Sequence, residues 1–369
     1  MDKKLIMTPG PTEISKDVRE AMALEITNPD LDLEFFDFYK DTTEKFQELL
    51  KTQNEVFILS GEGILGLEAA CATLTEKGDK VLALDNGFFG RGFGEFAEMY
   101  GADVTYLSFD YRRGIDIEKL EVFLKTNHNF KYATLVHCET PSGLVNPIDK
   151  LCPILKKYGL ITVVDAVAST GGEAISVDEW DIDILIAGSQ KCLSAAPGLT
   201  IVSVSDHVFR SIDARQEPIH SFYCNLALFR DYYKNKEFPY TQPISNIYSL
   251  KKAVDIVLSN DYVNQHALVG TALRKALVAG GLKLYPQDSY SNTATAIILP
   301  EGICFKDLYE TMKNQHHVLI AGAYGDIQGK VFRIGHMGHI CDKDKLYITL
   351  KALEASFNYL GFQTQCNMA

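Results

Sequence analysis

The sequence predicts an α/β protein with a large domain on a mostly parallel, seven-stranded sheet, followed by a small α+β domain. The main observation is a series of short apolar, β-branched runs that alternate with helix-like segments. A second observation is the loss of this alternation after about residue 206, where an aromatic and polar connector follows. The length of 369 residues is sufficient for one large core and a smaller domain.

The predicted elements begin with an N-terminal arm over residues 1–14, which contains the turn-prone segment TPGP. Ser15 is predicted to cap a first helix, and a second helix is predicted from Leu33 to Lys51. The seven strands of the sheet follow, and most are separated by helical segments. The predicted strands are 56–59, 81–84, 104–107, 133–138, 161–165, 183–187 and 200–205.

The large domain is predicted to span residues 15–258 and the small domain residues 259–369. One long helical segment is predicted from about Ser245 to Ala279. Beyond it the sequence predicts a strand in TATAIILP, a helix in FKDLYETMKNQ, a strand in KVFRIGHMG and a final helix in KDKLYITLKALEASFNYL. This order is typical of a small α+β domain.

Composition and charge narrow the class of protein. The net charge of -12 argues against a nucleic-acid partner or an anionic membrane, and no run of 18 apolar residues occurs. The eight cysteines are scattered and form no CxxC pair, which favours reduced thiols over a disulfide framework or a zinc site. The sequence therefore predicts a cytoplasmic protein.

Two charged residues follow predicted strands at the edge where parallel sheets bind ligands. Lys191 comes shortly after the strand 183–187, among small residues, where partial desolvation would let it lose its proton and form a Schiff base. Asp165 ends the strand 161–165 and could keep a ring nitrogen protonated. The alternatives are a surface lysine in a loop and an aspartate that caps a helix or forms a salt bridge.

The segment SGEG, residues 60–63, lies between a predicted strand and a predicted helix. Its glycines would let a ligand approach the backbone, and the helix N-terminus would attract a phosphate group. The segment matches neither the Walker loop nor the GxGxxG fingerprint. An ordinary glycine-rich turn is the alternative.

Three further residues could contact a ligand. Thr140, in HCETPSG, could bind a ring substituent, and Phe89, in NGFFG, could stack on a flat ring. Arg333, in FRIGHMG, could hold a carboxylate with two hydrogen bonds. The alternatives are a turn threonine, a core phenylalanine and a surface arginine. His336 and His339 lack the spacing of a metal site, so no metal is predicted.

Taken in series, these motifs resemble the class V aminotransferases of the fold-type-I pyridoxal-phosphate enzymes, and most of all the alanine–glyoxylate and serine–pyruvate branch. The resemblance covers nearly the whole chain, through TPGPT, SGEGILGLEAA, NGFFGRG, HCETPSG, VVDAVASTGG, GSQKCLSAAPG and FRIGHMG. It implies a pyridoxal 5′-phosphate cofactor, an amino donor and a 2-oxo acid acceptor as substrates, and a homodimer with shared active sites.

The resemblance also implies a role for each residue. Lys191 would form the Schiff base and move the proton of the substrate, and Asp165 would pair with the pyridinium nitrogen. Thr241 would reach the phosphate from the partner subunit, and Arg333 with Gly10 would bind the substrate carboxylate. The residues expected to contact the cofactor besides Lys191 are Gly61, Glu62, Gly63, Ile64, Phe89, Thr140, Asp165, Gln190 and Thr241.

Several positions depart from the family pattern. Glu62 stands where relatives often have a small or hydroxylated residue, and Ile64 where they have histidine or threonine. Phe238 stands near a usual tyrosine, for which Tyr240 could substitute, and ITNPD replaces a His-Arg pair near residues 25–30. These changes affect the expected substrate more than the cofactor chemistry.

The expected activity is amino transfer from a small amino acid, of the alanine or serine type, to glyoxylate or pyruvate. A 2-aminoethylphosphonate–pyruvate transaminase is the first alternative, because HCETPSG and the KC pair after the strand also resemble those enzymes. A non-catalytic interaction protein with the same fold ranks lower, since both Lys191 and Asp165 are present. A cysteine desulfurase is disfavoured because Gln190, not histidine, precedes the lysine.

Overall fold

The structure is a computed structural model that describes residues 4–369. The first three residues of the predicted arm therefore lie outside the described part of the chain. Within residues 4–369 the strands are β1 (Leu5–Ile6), β2 (Glu55–Ser60), β3 (Lys80–Asp85), β4 (Asp103–Ser108), β5 (Tyr132–Val136), β6 (Cys138–Glu139), β7 (Leu144–Val145), β8 (Ile161–Asp165), β9 (Ile184–Gly188), β10 (Leu199–Val204), β11 (Lys283–Leu284), β12 (Ala294–Ile298), β13 (Val318–Leu319), β14 (Ala321–Gly322) and β15 (Val331–Gly335).

The helices connect and cover these strands. In the same described range they are α1 (Lys16–Ala21), α2 (Leu33–Leu50), α3 (Gly63–Leu74), α4 (Phe88–Met99), α5 (Ile117–Thr126), α6 (Ile148–Lys157), α7 (Asp206–Asp213), α8 (Tyr232–Asn235), α9 (Ile244–Leu258), α10 (Tyr262–Ala279), α11 (Phe305–Gln315) and α12 (Lys343–Tyr359). Ser15 caps α1 as predicted, since its side chain accepts a hydrogen bond from the backbone of Val18.

The central sheet has seven strands in the order β2-β10-β9-β8-β5-β3-β4. β10 runs antiparallel to β2 and to β9, and the other neighbours are parallel. Every residue of β5, β8 and β9 is buried, as expected for central strands covered on both faces. The predicted mostly parallel, seven-stranded sheet is confirmed, and it brings the carboxyl ends of β8 and β9 side by side.

The small domain has its own sheet and its own core. Its four strands lie in the order β11-β12-β15-β14 and are antiparallel. One hydrophobic core extends along the chain to Val257, and a second includes Val269 and most of the later apolar residues. The boundary after residue 258 stays a prediction, which this separation of cores supports.

The prediction of one helical segment from Ser245 to Ala279 is wrong, because the chain forms two helices there. α9 ends at Leu258 and α10 begins at Tyr262, with Ser-Asn-Asp between them. The Asp261 carboxylate caps α10 by accepting a hydrogen bond from the Asn264 N–H at 3.3 Å. Ser, Asn and Asp bind nearby backbone groups better than they continue a helix, and this preference ends α9.

The N-terminal arm joins the two domains. β1 pairs in parallel with β13 of the small domain, and the Gly335 N–H donates to the Met7 carbonyl at 2.9 Å. Further along, the Thr12 N–H donates to the Gln190 carbonyl at 3.0 Å, in the loop that carries Lys191. The arm thereby links the sheet that carries Arg333 to the loop that carries the lysine.

Within residues 4–369, no helix has both the length and the apolar character that are needed to cross a bilayer. Residues 4–369 likewise contain no cluster of three or more His, Cys, Asp or Glu side chains arranged to hold a metal ion.

Candidate active site

A cavity of about 180 Å³ lies at the carboxyl ends of the central strands. Its lining contains most of the residues that the sequence analysis selected. The lining residues are Glu62, Gly63, Ile64, Leu67, Phe89, Cys138, Thr140, Asp165, Val167, Ala168, Gln190 and Lys191. A second cavity of about 420 Å³ adjoins it and shares Ile64, Leu67 and Phe89, but its mainly apolar lining contains neither Lys191 nor Asp165. The smaller cavity is therefore the candidate active site.

Lys191 follows β9 and is largely removed from water. Its Nζ donates a hydrogen bond to the Pro9 carbonyl at 2.7 Å. Burial lowers the pKa of Lys191, and the positive charge of Arg333 lowers it further. A lowered pKa increases the fraction of the lysine that is a neutral amine, and the neutral amine is the form that attacks a carbonyl carbon.

Asp165 ends β8, the strand beside β9, and its side chain is 6% exposed. Burial raises the pKa of Asp165 to about 6, although a hydrogen bond at 2.9 Å from the Val167 N–H and the charge of Lys191 both oppose this rise. A buried carboxylate with this little compensation is stabilised by a cation that enters the cavity. A protonated pyridine nitrogen is such a cation. The end of the cavity formed by Asp165 and Lys191, called the ring end below, therefore fits pyridoxal phosphate.

Glu139 is a functional candidate that the sequence analysis missed. Its carboxylate is fully buried and accepts hydrogen bonds from the backbone N–H groups of Phe89, at 3.1 and 3.2 Å, and Gly90, at 3.0 Å. Since Gly87 gives α4 no side-chain cap, Glu139 caps this helix from the neighbouring strand β6. Burial raises the pKa of Glu139 to about 7. The glutamate fixes the start of α4, where Phe89 lies, and directly precedes Thr140.

Thr140 and Phe89 both line the cavity. Their contact with a cofactor ring stays a prediction. Thr140 is buried in the turn after β6, and Phe89 lies in the first turn of α4. HCETPSG, from which the sequence analysis took Thr140, also contains Glu139, and a carboxylate beside a predicted cavity residue is the signal that could have found it.

The other end of the cavity, called the phosphate end below, is formed by Gln190 and by the start of α3 with Glu62 and Gly63. The first N–H groups of a helix have no acceptor within the helix, and they attract anions. A Cβ atom on Gly63 would lie 2.6 Å from Cγ2 of Val167, so glycine is required there for the backbone to approach this closely. The Gln190 Nε2 donates to Glu62 Oε2 at 3.2 Å, while Gln190 Oε1 is buried without a hydrogen-bond partner. These groups could hold the phosphate of the cofactor, in competition with the Glu62 carboxylate.

Arg333 and Gly10, the predicted substrate residues, lie outside the cavity lining. Gly10 packs against Lys191, and the charge of Arg333 acts on the lysine. Arg333 is 4% exposed, its Nε donates to the Gly322 carbonyl at 2.6 Å, and its guanidinium carbon lies 4.8 Å from the Tyr324 ring centroid. Gly10 has a φ of +87°, and a Cβ atom there would lie 2.5 Å from Cδ of Lys191. The Arg333 guanidinium has further N–H groups that could bind a carboxylate. At position 10, the absence of a side chain leaves space for Lys191.

Gly61 and Thr241 are the predicted cofactor residues that the structure leaves outside the lining. Gly61 is in the turn before α3, where its carbonyl accepts a hydrogen bond from Thr200 Oγ1 at 3.0 Å. Thr241 is exposed, at the end of the connector. Its predicted contact with a partner's phosphate stays a prediction.

Known proteins share this fold and length. The chain matches the class-V aminotransferase family over residues 9–343. It is 33% identical to an uncharacterised aminotransferase of Methanocaldococcus jannaschii, over 98% of this chain and 95% of that protein. It is 31% identical to the pyridoxamine–pyruvate transaminase of Mesorhizobium japonicum, over 98% of this chain and 93% of that protein.

Among solved structures, the ureidoglycine–glyoxylate aminotransferase of Bacillus subtilis is similar with a TM-score of 0.94 and 31% identity, covering 98% of this chain and 95% of that one. The family match spans far more than half of the sequence, and the fold-type-I architecture predicted from the strand pattern is confirmed. This chain belongs to the class V aminotransferases and is a pyridoxal-phosphate-dependent enzyme.

Proposed function

We propose that the protein moves an amino group from a small amino acid, of the alanine or serine type, to a small 2-oxo acid such as pyruvate or glyoxylate. The observation that carries the proposal is the placement of the partly buried Lys191 and the buried Asp165 in one cavity, with Arg333 within electrostatic reach of the lysine. The names of two relatives include pyruvate and glyoxylate. The donors in those names are pyridoxamine and ureidoglycine, which differ from the donors proposed here.

In this proposal the residues of the ring end control protons. The bound cofactor supplies an electron-accepting ring that stabilises negative charge at the substrate α-carbon. Asp165 would hold a proton on the ring nitrogen, because a buried carboxylate strongly favours a cation beside it. Lys191 would hold the cofactor and, once displaced by the donor, would take the α-proton and return it as general base and acid.

Arg333 would orient both substrates by their shared carboxylate. Its side chain is buried, so each charge-assisted hydrogen bond to a carboxylate is stronger than at the surface. The Tyr324 ring covers the guanidinium and restricts its orientation. The same group would bind the carboxylates of donor and acceptor in turn, which a two-step exchange requires.

We also propose a homodimer in which Thr241 reaches the partner's phosphate site, and a cytoplasmic location. The connector exposes Phe222 at 57% and Tyr223 at 54%, and such large apolar side chains favour burial against another subunit. The location rests on the cysteines, all eight of which are free thiols. Sedimentation of the purified protein tests the dimer, and a monomer at micromolar concentration would contradict it.

The proposed function is tested by recording the absorbance of the purified enzyme while single donors are added without an acceptor. We expect L-alanine or L-serine to remove the band of the lysine-bound cofactor, and pyruvate or glyoxylate to restore it. Lys191→Ala should show neither change. Loss of the band with 2-aminoethylphosphonate or pyridoxamine alone would contradict the proposed donor. Absence of any band after addition of pyridoxal phosphate would contradict amino transfer itself.

A further inference from the structure

The phosphate end of the cavity contains a carboxylate where an anion is expected to bind. Glu62 is the N-cap residue of α3, a helix of 12 residues, and its side chain makes no capping hydrogen bond. The carboxylate accepts a hydrogen bond from Gln190 Nε2 at 3.2 Å and lines the cavity. Its negative charge raises the pKa of both Asp165 and Lys191, so it acts on the whole site.

A phosphate at this end would meet donors that already face a negative charge. The free N–H groups at the start of α3 are next to Glu62, and the Gln190 amide donates to the same carboxylate. The Glu62 carboxylate and a bound phosphate would both be negative and would repel each other, which disfavours a phosphate dianion more than a neutral group. Glu62 is exposed and can turn towards solvent, so it weakens phosphate binding without abolishing it.

The unpaired acceptor at this end fits a hydroxyl group better than a phosphate. Gln190 is 6% exposed and its Oε1 has no hydrogen-bond partner among residues 4–369, although the side chain lines the cavity. A phosphate dianion offers no proton to this oxygen, whereas a hydroxyl can donate to it and also accept from a helix N–H. Burying an unpaired acceptor costs stability, so a ligand that donates to it gains affinity.

We infer that Glu62 is a specificity-determining residue, which shifts the preference of the site from phosphorylated pyridoxal towards the free 5′-hydroxymethyl forms, pyridoxal and pyridoxamine. The inference rests on the proposed function, since it takes the Lys191 cavity as the cofactor site. It adds that unphosphorylated forms of the cofactor compete for this site. Replacement of the carboxylate restores the preference for the phosphate.

The test measures dissociation constants of the cofactor-free protein for pyridoxal phosphate and for pyridoxal, each followed by absorbance. The variants are Glu62→Gln, which removes the charge at constant size, and Glu62→Ser, which also removes the hydrogen bond to Gln190. Glu301→Gln, at an exposed surface loop, is the control. We expect both Glu62 variants to bind pyridoxal phosphate about tenfold more tightly, which is about 1.4 kcal/mol. The affinity for pyridoxal should stay constant or fall, and Glu301→Gln should match the wild type.

An equal change in both affinities, or no change for pyridoxal phosphate, would overturn the inference. Circular dichroism of each variant separates this result from misfolding, and two different substitutions keep the test valid if one variant fails to fold. If the wild type binds pyridoxal phosphate through Lys191 but its preference is unaffected by Glu62, only this inference fails. If the wild type binds neither ligand, the proposed function fails with it.

Discussion

The ring end of the cavity lies on neighbouring strands of the buried sheet, whereas the phosphate end lies on the exposed start of a helix. Asp165 ends β8 and Lys191 follows β9, and these strands are paired in parallel. Burial raises the pKa of the aspartate and lowers that of the lysine, so both groups are shifted towards their neutral forms. At the other end Glu62 and Ile64 are exposed, and a glutamate occupies the position next to the helix donors.

This difference separates two kinds of functional residue. A buried strand end fixes the backbone, so the side chains of the ring end have few ways to be arranged. The start of α3 is at the surface, where a change of side chain costs the fold little and alters what the site binds. The amino-transfer chemistry is therefore expected to depend on the ring end. The selectivity of this enzyme for its ligands is expected to depend on the phosphate end and on the surroundings of Arg333.

The largest effect is expected from removal of the lysine at the ring end. Lys191→Ala should lower kcat by about 10⁴-fold or more, because the group that holds the cofactor and transfers the proton is lost. The matched control is Lys306→Ala, since Lys306 is an exposed lysine of the small domain. The comparison is measured as steady-state amino transfer, and a Lys191 variant within tenfold of the wild type would contradict the role of the ring end.

The second prediction concerns the stability of the cofactor-free protein. The pKa of Asp165 rises from 3.8 to about 6 on folding, so the folded state binds its proton more tightly than the unfolded state. The free energy of unfolding should therefore fall as pH rises from about 4 to about 6, and the destabilisation should be complete above that range. Asp165→Asn should remove this pH-dependent destabilisation and thereby stabilise the cofactor-free protein by up to about 3 kcal/mol near neutral pH.

Urea unfolding at several pH values measures this effect, with the exposed Asp30→Asn as control. The same Asp165→Asn substitution should lower kcat, since an amide cannot keep the ring nitrogen protonated. An Asp165 variant that is no more stable than the wild type at neutral pH would show that the carboxylate is compensated without the cofactor.

The third prediction concerns Arg333, where the substrate carboxylate is expected to bind. Arg333→Lys should lower kcat/KM by about 100-fold, because an ammonium group cannot replace a buried guanidinium that binds a carboxylate at two points. The absorbance of the bound cofactor should be unchanged, since the substitution leaves the ring end intact. The exposed Arg210→Lys is the control, and equal kcat/KM values in both variants would remove Arg333 from the substrate site.

The smallest effect is expected from the arm that lies against Lys191. Gly10 and Gly302 have similar φ angles, +87° and +82°, but a Cβ atom on Gly10 would touch Lys191 while one on Gly302 would meet nothing within 4 Å. Alanine at either position carries the strain of a positive φ, about 1 kcal/mol. Only Gly10→Ala should also displace the lysine and lower kcat. Equal kcat values in the two variants would contradict the close packing of the arm on Lys191.

The sequence was sufficient to predict the elements with a strong local pattern. The seven strands of the large sheet are apolar and β-branched, and Asp165 and Lys191 are recognisable because each polar side chain comes immediately or shortly after such a strand. The helix break at Ser259–Asp261 was missed, because the helical apolar pattern continues on both sides and the capping residues are short.

Contacts between distant segments could not be predicted in this way. Glu139 reaches the start of α4 from another strand, and it is 49 positions along the chain from Gly90. The strand Leu5–Ile6 has two residues, too few for a period, and its partner is Val318–Leu319. Both depend on how the chain folds back on itself, so no local pattern reveals them. Thr241 depends on a second subunit and stays a prediction.

The role of Lys191 can be tested by locating the lysine that binds the cofactor. The enzyme would be loaded with pyridoxal phosphate, reduced with borohydride, digested, and its peptides analysed by mass spectrometry. We predict a pyridoxyl group on Lys191 and on no other lysine, with no modification in Lys191→Ala. Modification of a different lysine, or none after loading, would contradict the assignment of this cavity as the active site.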